Sequence, residues 1–107
     1  MELKNKNILL TGGSSGIGKK TAEMLVEKGA NVLITGRSFD KIENVKQKLG
    51  VLGVSFDISD LENISAKTEE CVKLLGGHVD VLINNAGVGD FRPVDEINMT
   101  SFLEVFN

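Results

Sequence analysis

The stretch Thr11-Gly12-Gly13-Ser14-Ser15-Gly16-Ile17-Gly18 decides the fold, because it joins a strand-like run to a helix-like one. Ahead of it, Asn7-Ile8-Leu9-Leu10 is short, apolar and bounded by polar residues, the pattern of a buried parallel strand. Behind it, Ile17, Thr21, Met24 and Leu25 recur at i, i+4, i+7 and i+8, while Lys19, Lys20, Glu23 and Glu27 point the other way. That period predicts an amphipathic helix with the first set turned inward. A tight strand-to-helix turn needs freedom from Cβ restrictions, room for a bulky group against the backbone, and close packing of the helix on the strand it left. Gly12, Gly16 and Gly18 suit these needs in that order. The unpaired amides of the first helical turn then face an anion, with Ser14 and Ser15 adding hydroxyl donors. The turn is no Walker loop, since no Lys-Ser or Lys-Thr pair follows the glycines. A flexible turn without a ligand is the bland alternative, against which the flanking strand and helix argue.

Composition narrows the function classes. With 107 residues, 41% of them apolar, the chain forms one domain at most and is small for a doubly wound enzyme. It therefore reads as incomplete for its own architecture. A net charge of −3 argues against sequence-independent nucleic-acid binding, which needs a basic face. The single cysteine cannot close an internal disulfide, and Met1-Glu2-Leu3-Lys4-Asn5-Lys6 leads into no long apolar segment. Neither a secretory signal nor a membrane span is expected, and a reducing cytoplasm is the expected location.

Beyond the glycine turn, strands and helices alternate. Gly29 stops the first helix, and Asn31-Val32-Leu33-Ile34-Thr35 reads as a second strand. Ile42, Val45 and Leu49 at i, i+3 and i+7, with Gly50 behind them, predict a second helix, and Val54-Ser55-Phe56 a short third strand. Ser59-x-x-Glu62 has the form of a capping box for a third helix, whose stripe is Leu61, Ile64, Thr68, Cys71, Val72 and Leu75 before Gly76-Gly77. Val79-Asp80-Val81-Leu82-Ile83 follows as a fourth strand. Pro93 and Asn98 then punctuate the chain, and Met99, Phe102 and Phe106 suggest a last helix.

This alternation with short loops predicts a Rossmann-like three-layer α/β/α fold with a parallel sheet and right-handed crossovers. The expected strand order is 3-2-1-4, because the phosphate turn of an open sheet lies where the order reverses. Ligand contacts should then come from the turns after the strands, all along one edge.

Thr-Gly-x-x-x-Gly-Ile-Gly at 11 to 18, Asp57-Ile58 after the third strand and Asn84-Asn85-Ala86-Gly87 after the fourth resemble the short-chain dehydrogenase/reductase family, over the span from Lys4 to Asn107. The resemblance implies a nicotinamide dinucleotide lying across these turns. Gly12, Ser14, Ser15, Gly16, Ile17 and Gly18 would hold its phosphates and adenosine ribose. Asp57 would accept from the adenine amino group, and the Ile58 amide would read the neighbouring ring nitrogen, roles that suit an acceptor-only carboxylate and a backbone donor. Asn85, Ala86 and Gly87 would line the ribose sites, with Asn84 tying strand four to its neighbours. The plain alternatives are an N-terminal cap on the third helix for Asp57 and an ordinary turn for the Asn-Asn-Ala-Gly run.

Cofactor choice turns on the end of strand two. NAD-selective dinucleotide folds place a carboxylate there for the ribose 2′-hydroxyl, whereas this chain has Gly36 followed by Arg37. Arg37 can pair with a 2′-phosphate and stack on adenine, so NADP(H) is favoured over NAD(H), with a solvated surface arginine as the alternative. Cys71 belongs to an apolar stripe, and His78 has no carboxylate or cysteine cluster nearby in sequence, so neither a nucleophile nor a metal site is expected.

The resemblance also implies a tyrosine acid/base, a lysine four residues later, an orienting serine and a supporting asparagine. The chain contains no tyrosine, and Asn107 falls two positions short of where that asparagine would stand. No catalytic residue is therefore assigned within the 107 residues, which are expected to be inactive alone. One expectation is the N-terminal part of a single NAD(P)-binding domain, truncated before its catalytic half, from an oxidoreductase acting on a small carbonyl or alcohol substrate. The other is a complete, non-catalytic nucleotide-binding or assembly module. Truncation would leave strand four without a neighbour on one side, predicting pairing with a second copy or coverage by residues 98 to 107.

Overall fold

The computed structural model describes residues 2–14, 16–57 and 62–85. In chain order the elements are β1 (Asn7–Thr11), α1 (Gly16–Glu27), β2 (Asn31–Gly36), α2 (Phe39–Leu49), β3 (Leu52–Ser55), α3 (Ile64–Leu74) and β4 (Val81–Asn84). The strands form one parallel sheet of order β3-β2-β1-β4, as the alternation predicts. Among the described residues β4 pairs on one side only, with β1. The residues expected to cover its other side, 98 to 107, lie outside the described ones, as do Pro93 and the suggested last helix.

Alternate strand residues feed two cores. Ile8, Leu10, Val32, Ile34, Val81 and Ile83 face α1 and α2, packing with Ala22, Leu25, Ile42 and Val45. Leu9, Leu33, Val54 and Leu82 face the opposite way and pack with Cys71 and Leu75 of the α3 segment. Strands buried on both faces explain the near-continuous apolar runs of the sequence.

The helix α1 keeps Leu25 inward as expected but departs from its expected face at Ile17 and Met24. Ile17 and Met24 are 60% and 57% exposed, and the buried residues are Gly18, Ala22 and Leu25. At Gly18 only a small residue fits the inward position, because the helix there lies too close to the turn for a larger one. A Cβ on Gly18 would stand 1.9 Å from the carbonyl oxygen of Gly12.

Strand β3 begins two residues earlier than its apolar pattern indicates, and Gly53 is the reason. A side chain there would meet Ile42 Cγ2 at 2.7 Å and Lys46 Cδ at 2.9 Å, so α2 can lie on the strand only if that position is bare. The described part of α3 starts at Ile64 with Asn63 as N-cap, whose side chain makes no capping bond. Glu62 thus precedes the helix rather than completing a capping box, and Ser59 and Leu61 lie outside the described residues. Strand β4 starts at Val81 because Asp80 is engaged otherwise: its N–H donates to Asn7 O and its carboxylate accepts the Asn7 N–H, each at 2.8 Å.

Asn7 ties the amino ends of the strands together. It is 5% exposed, and its Nδ2 donates to Leu75 O at 2.7 Å and to His78 O at 3.1 Å, while its Oδ1 accepts from Asn31 Nδ2 at 3.1 Å. The buried amide therefore loses little on leaving water. His78, given no role by the sequence, has its Nε2 3.3 Å from Asp80 Oδ2.

Candidate functional site

All four strands point their carboxyl ends to one edge of the sheet, and the turns there bring distant sequence segments together. The glycine turn leaves β1 by two bonds, Gly12 N–H and Gly13 N–H donating to Thr35 O at 2.8 and 3.2 Å. Gly12 and Gly16 both adopt left-handed backbone, with φ of 70° and 58°, which glycine takes without the Cβ penalty. Around Gly16 the space a Cβ would enter is open, so the backbone at the start of α1 is bare toward its surroundings.

Gly13, given no role by the sequence, is indispensable to this geometry. A Cβ on it would lie 2.5 Å from Ile34 Cγ2 and 3.3 Å from Leu10 Cδ2. The turn can fold down over β2 only because that side chain is missing. The neighbouring strand's bulky Ile34 is the one signal in the sequence that bears on it.

Asn84 and Asn85 are locked to the same turn from the other side. Thr11 Oγ1 donates to Asn84 Oδ1 at 2.7 Å and accepts the Asn85 N–H at 2.9 Å. The Asn85 side chain reaches over α1, its Nδ2 standing 2.8 Å from where a Gly18 Cβ would be. Gly12, Gly18 and Asn85 thus form one packed unit, and Ser14 extends it to β2, its Oγ 3.1 Å from the Cβ position of Gly36.

At the end of β2, Gly36 O accepts the Phe56 N–H at 2.9 Å, and Ser38 caps α2 by accepting the Lys41 N–H on Oγ at 3.3 Å. Arg37 lies between them, exposed, and forms no salt bridge among the described residues. Asp57 is exposed just past β3, and the described α3 starts seven residues later, at Ile64 with Asn63 as its N-cap. Ser15, Ile58, Ala86 and Gly87 lie outside the described residues. Of the anticipated residues, Gly12, Ser14, Gly16, Ile17, Gly18, Arg37, Asp57 and Asn85 are described, at or just beyond the ends of β1 to β4.

The chemistry of this edge favours an extended anionic ligand. The first-turn amides of α1 and the Ser14 hydroxyl are donors, Arg37 supplies a cation and Asp57 an acceptor. Among the described residues no group of three or more His, Cys, Asp or Glu could hold a metal ion. Cys71 is fully buried, and burial first, then Glu70, pushes its thiol up to about 11, so it stays a neutral core residue. No described helix is long and apolar enough to cross a membrane.

Comparison with known proteins agrees with the architecture. The family model for the short chain dehydrogenase matches residues 6–107. An uncharacterized oxidoreductase of Staphylococcus saprophyticus is 38% identical over 89 residues, 80% of this chain and 36% of the relative. A crystal structure of a short chain dehydrogenase from Bacillus anthracis aligns with TM-score 0.72 at 32% identity, over 100% of this chain and 45% of that one. A 3-ketoacyl-(acyl-carrier-protein) reductase from Brucella melitensis, complexed with NADH, aligns with TM-score 0.74 at 36% identity, over 81% of this chain and 36% of that one. The chain spans less than half the length of these relatives. By the match over residues 6–107 and by the shared fold, the chain belongs to the short-chain dehydrogenase family.

Proposed function

We propose that these residues are the NADP(H)-binding part of an oxidoreductase that interconverts a carbonyl and an alcohol. The observation that carries the cofactor reading is the end of β2, where Gly36 replaces a carboxylate and the exposed Arg37 follows at once. A carboxylate there would bind a 2′-hydroxyl and repel a 2′-phosphate, whereas a guanidinium pairs with the phosphate through two parallel bonds. The Brucella melitensis relative carries NADH, so the preference for NADP(H) rests on this chain's own Gly36 and Arg37.

In this reading the α1 amides and Ser14 and Ser15 hold the diphosphate and adenosine ribose, with Gly16 and Ile17 at the contact surface. Asp57 and Ile58 orient adenine, and Asn85, Ala86 and Gly87 line the ribose sites. The bound nicotinamide would supply or accept hydride. In this reading the groups that would move the proton and choose the small-molecule substrate are not assigned among these residues, which include no tyrosine. The buried, unpaired Cys71 suits a reducing cytoplasm.

The test is Arg37→Ala. NADPH binding should weaken by about tenfold, the scale of one charge-assisted contact, with NADH binding little changed. Equal losses for both nucleotides would contradict the NADP(H) reading.

A further inference from the structure

The guanidinium of Arg37 projects from a stretch of backbone that is held unusually well for a loop. Gly36 O accepts the Phe56 N–H at 2.9 Å, which fixes the peptide ahead of Arg37. Ser38 caps α2, its Oγ and O accepting the N–H groups of Lys41 and Ile42 at 3.3 and 3.0 Å. The third attachment is of a different kind. The carbonyl of Arg37 itself accepts a hydrogen bond at 3.3 Å from the hydroxyl of Ser55, the residue that pairs in register with Gly36 at the end of β3.

The first two attachments follow from a parallel ladder and a helix cap, and neither uses the side chain at position 55. The Ser55 bond depends on a side chain to which neither the fold nor the glycine turn assigns a task. It fixes the plane of the peptide after Arg37 and therefore ψ at Arg37. With the preceding peptide held through Gly36, the Cα–Cβ bond of Arg37 has one direction in which to leave the chain.

We infer that Ser55 is a positioning residue for Arg37, aiming its guanidinium at the 2′-phosphate of the dinucleotide. The inference rests on the NADP(H) reading given above. A long, flexible cation pays rotamer entropy when it binds, and fixing its root lowers that cost before the ligand arrives. The effect is graded, because one hydroxyl–carbonyl bond in partial contact with water contributes modestly.

The experiment is calorimetric titration of this chain with NADPH and with NADH, for the wild type and for Ser55→Ala, Ser55→Thr, Arg37→Ala and the Arg37→Ala/Ser55→Ala pair. Ser55→Ala should weaken NADPH binding about threefold and leave NADH unchanged, and Ser55→Thr, which keeps the hydroxyl, should restore NADPH. In the Arg37→Ala background Ser55→Ala should have no further effect, since it acts through the guanidinium. Equal weakening of both nucleotides, or an undiminished Ser55 effect without Arg37, would overturn the inference. A selective Arg37→Ala loss with Ser55→Ala silent overturns this inference alone. An unselective Arg37→Ala loss, or no binding of either nucleotide to the wild type, overturns the cofactor reading and this inference with it.

Discussion

Thr11 Oγ1 donates to Asn84 Oδ1 at 2.7 Å, and the same oxygen accepts the N–H of Asn85 at 2.9 Å, so one hydroxyl joins the ends of β1 and β4. Thr11→Val preserves the shape and removes both bonds, leaving the Asn85 amide short of a partner. The expected cost is about 1–2 kcal/mol in urea denaturation. A stability change within error would mean that water replaces the hydroxyl without loss.

Two glycines of the turn should respond differently to alanine. At Gly16 the added methyl finds open space, and only the left-handed φ of 58° is strained, a cost of about 1 kcal/mol. At Gly18 the methyl would lie 1.9 Å from a backbone oxygen, so α1 must move, at a cost of roughly 3 kcal/mol. Denaturation midpoints of the two variants check the order, and a Gly16→Ala variant less stable than Gly18→Ala would contradict the close approach of α1 to Gly12.

The legible part of this fold was the part written in local pattern. The alternating apolar runs and glycine stops are enough to order β1 to β4 and to place Arg37, Asp57 and Asn85 at one edge. Apolar periodicity misled at α1, where it favoured Ile17 and Met24 over Gly18 and Ala22, because close helix packing selects for small size rather than hydrophobicity. It fell short again at β3, placed at Val54 to Phe56, because the strand takes in Gly53, which lies against α2 and carries no apolar signal. The bonds of Asn7 to Asp80 and of Thr11 to Asn84 and Asn85 join residues more than seventy positions apart, and no local pattern announces them.

Asp80 gives the chain an acid-sensitive clasp at the opposite end of the sheet. Its carboxyl is held below its ordinary value of 3.8, chiefly because the Asn7 N–H donates to it; partial desolvation opposes this, and His78 and Lys6 assist. A carboxyl whose pKa falls on folding binds fewer protons in the native state. Its stabilising contribution is therefore present above pH 3.8 and is lost as pH falls through the lower native value. Urea midpoints between pH 7 and pH 2.5 should fall more steeply for wild type than for Asp80→Asn, and parallel curves would contradict the clasp.

Cys71 is fully buried, with its thiol pushed up to about 11. Iodoacetamide at pH 8 should leave the folded chain unmodified and label it fully in denaturant. Rapid labelling of the folded chain, followed by intact mass, would show that the core behind α3 is open.

The central claim is that the edge built from the glycine turn, Arg37, Asp57 and Asn85 binds a 2′-phosphorylated nicotinamide dinucleotide. Calorimetric titration of this chain with NADPH and NADH under identical conditions tests it most directly. The account predicts one site that binds NADPH about tenfold more tightly than NADH. Equal affinities, a preference for NADH, or no heat of binding with either nucleotide would contradict it.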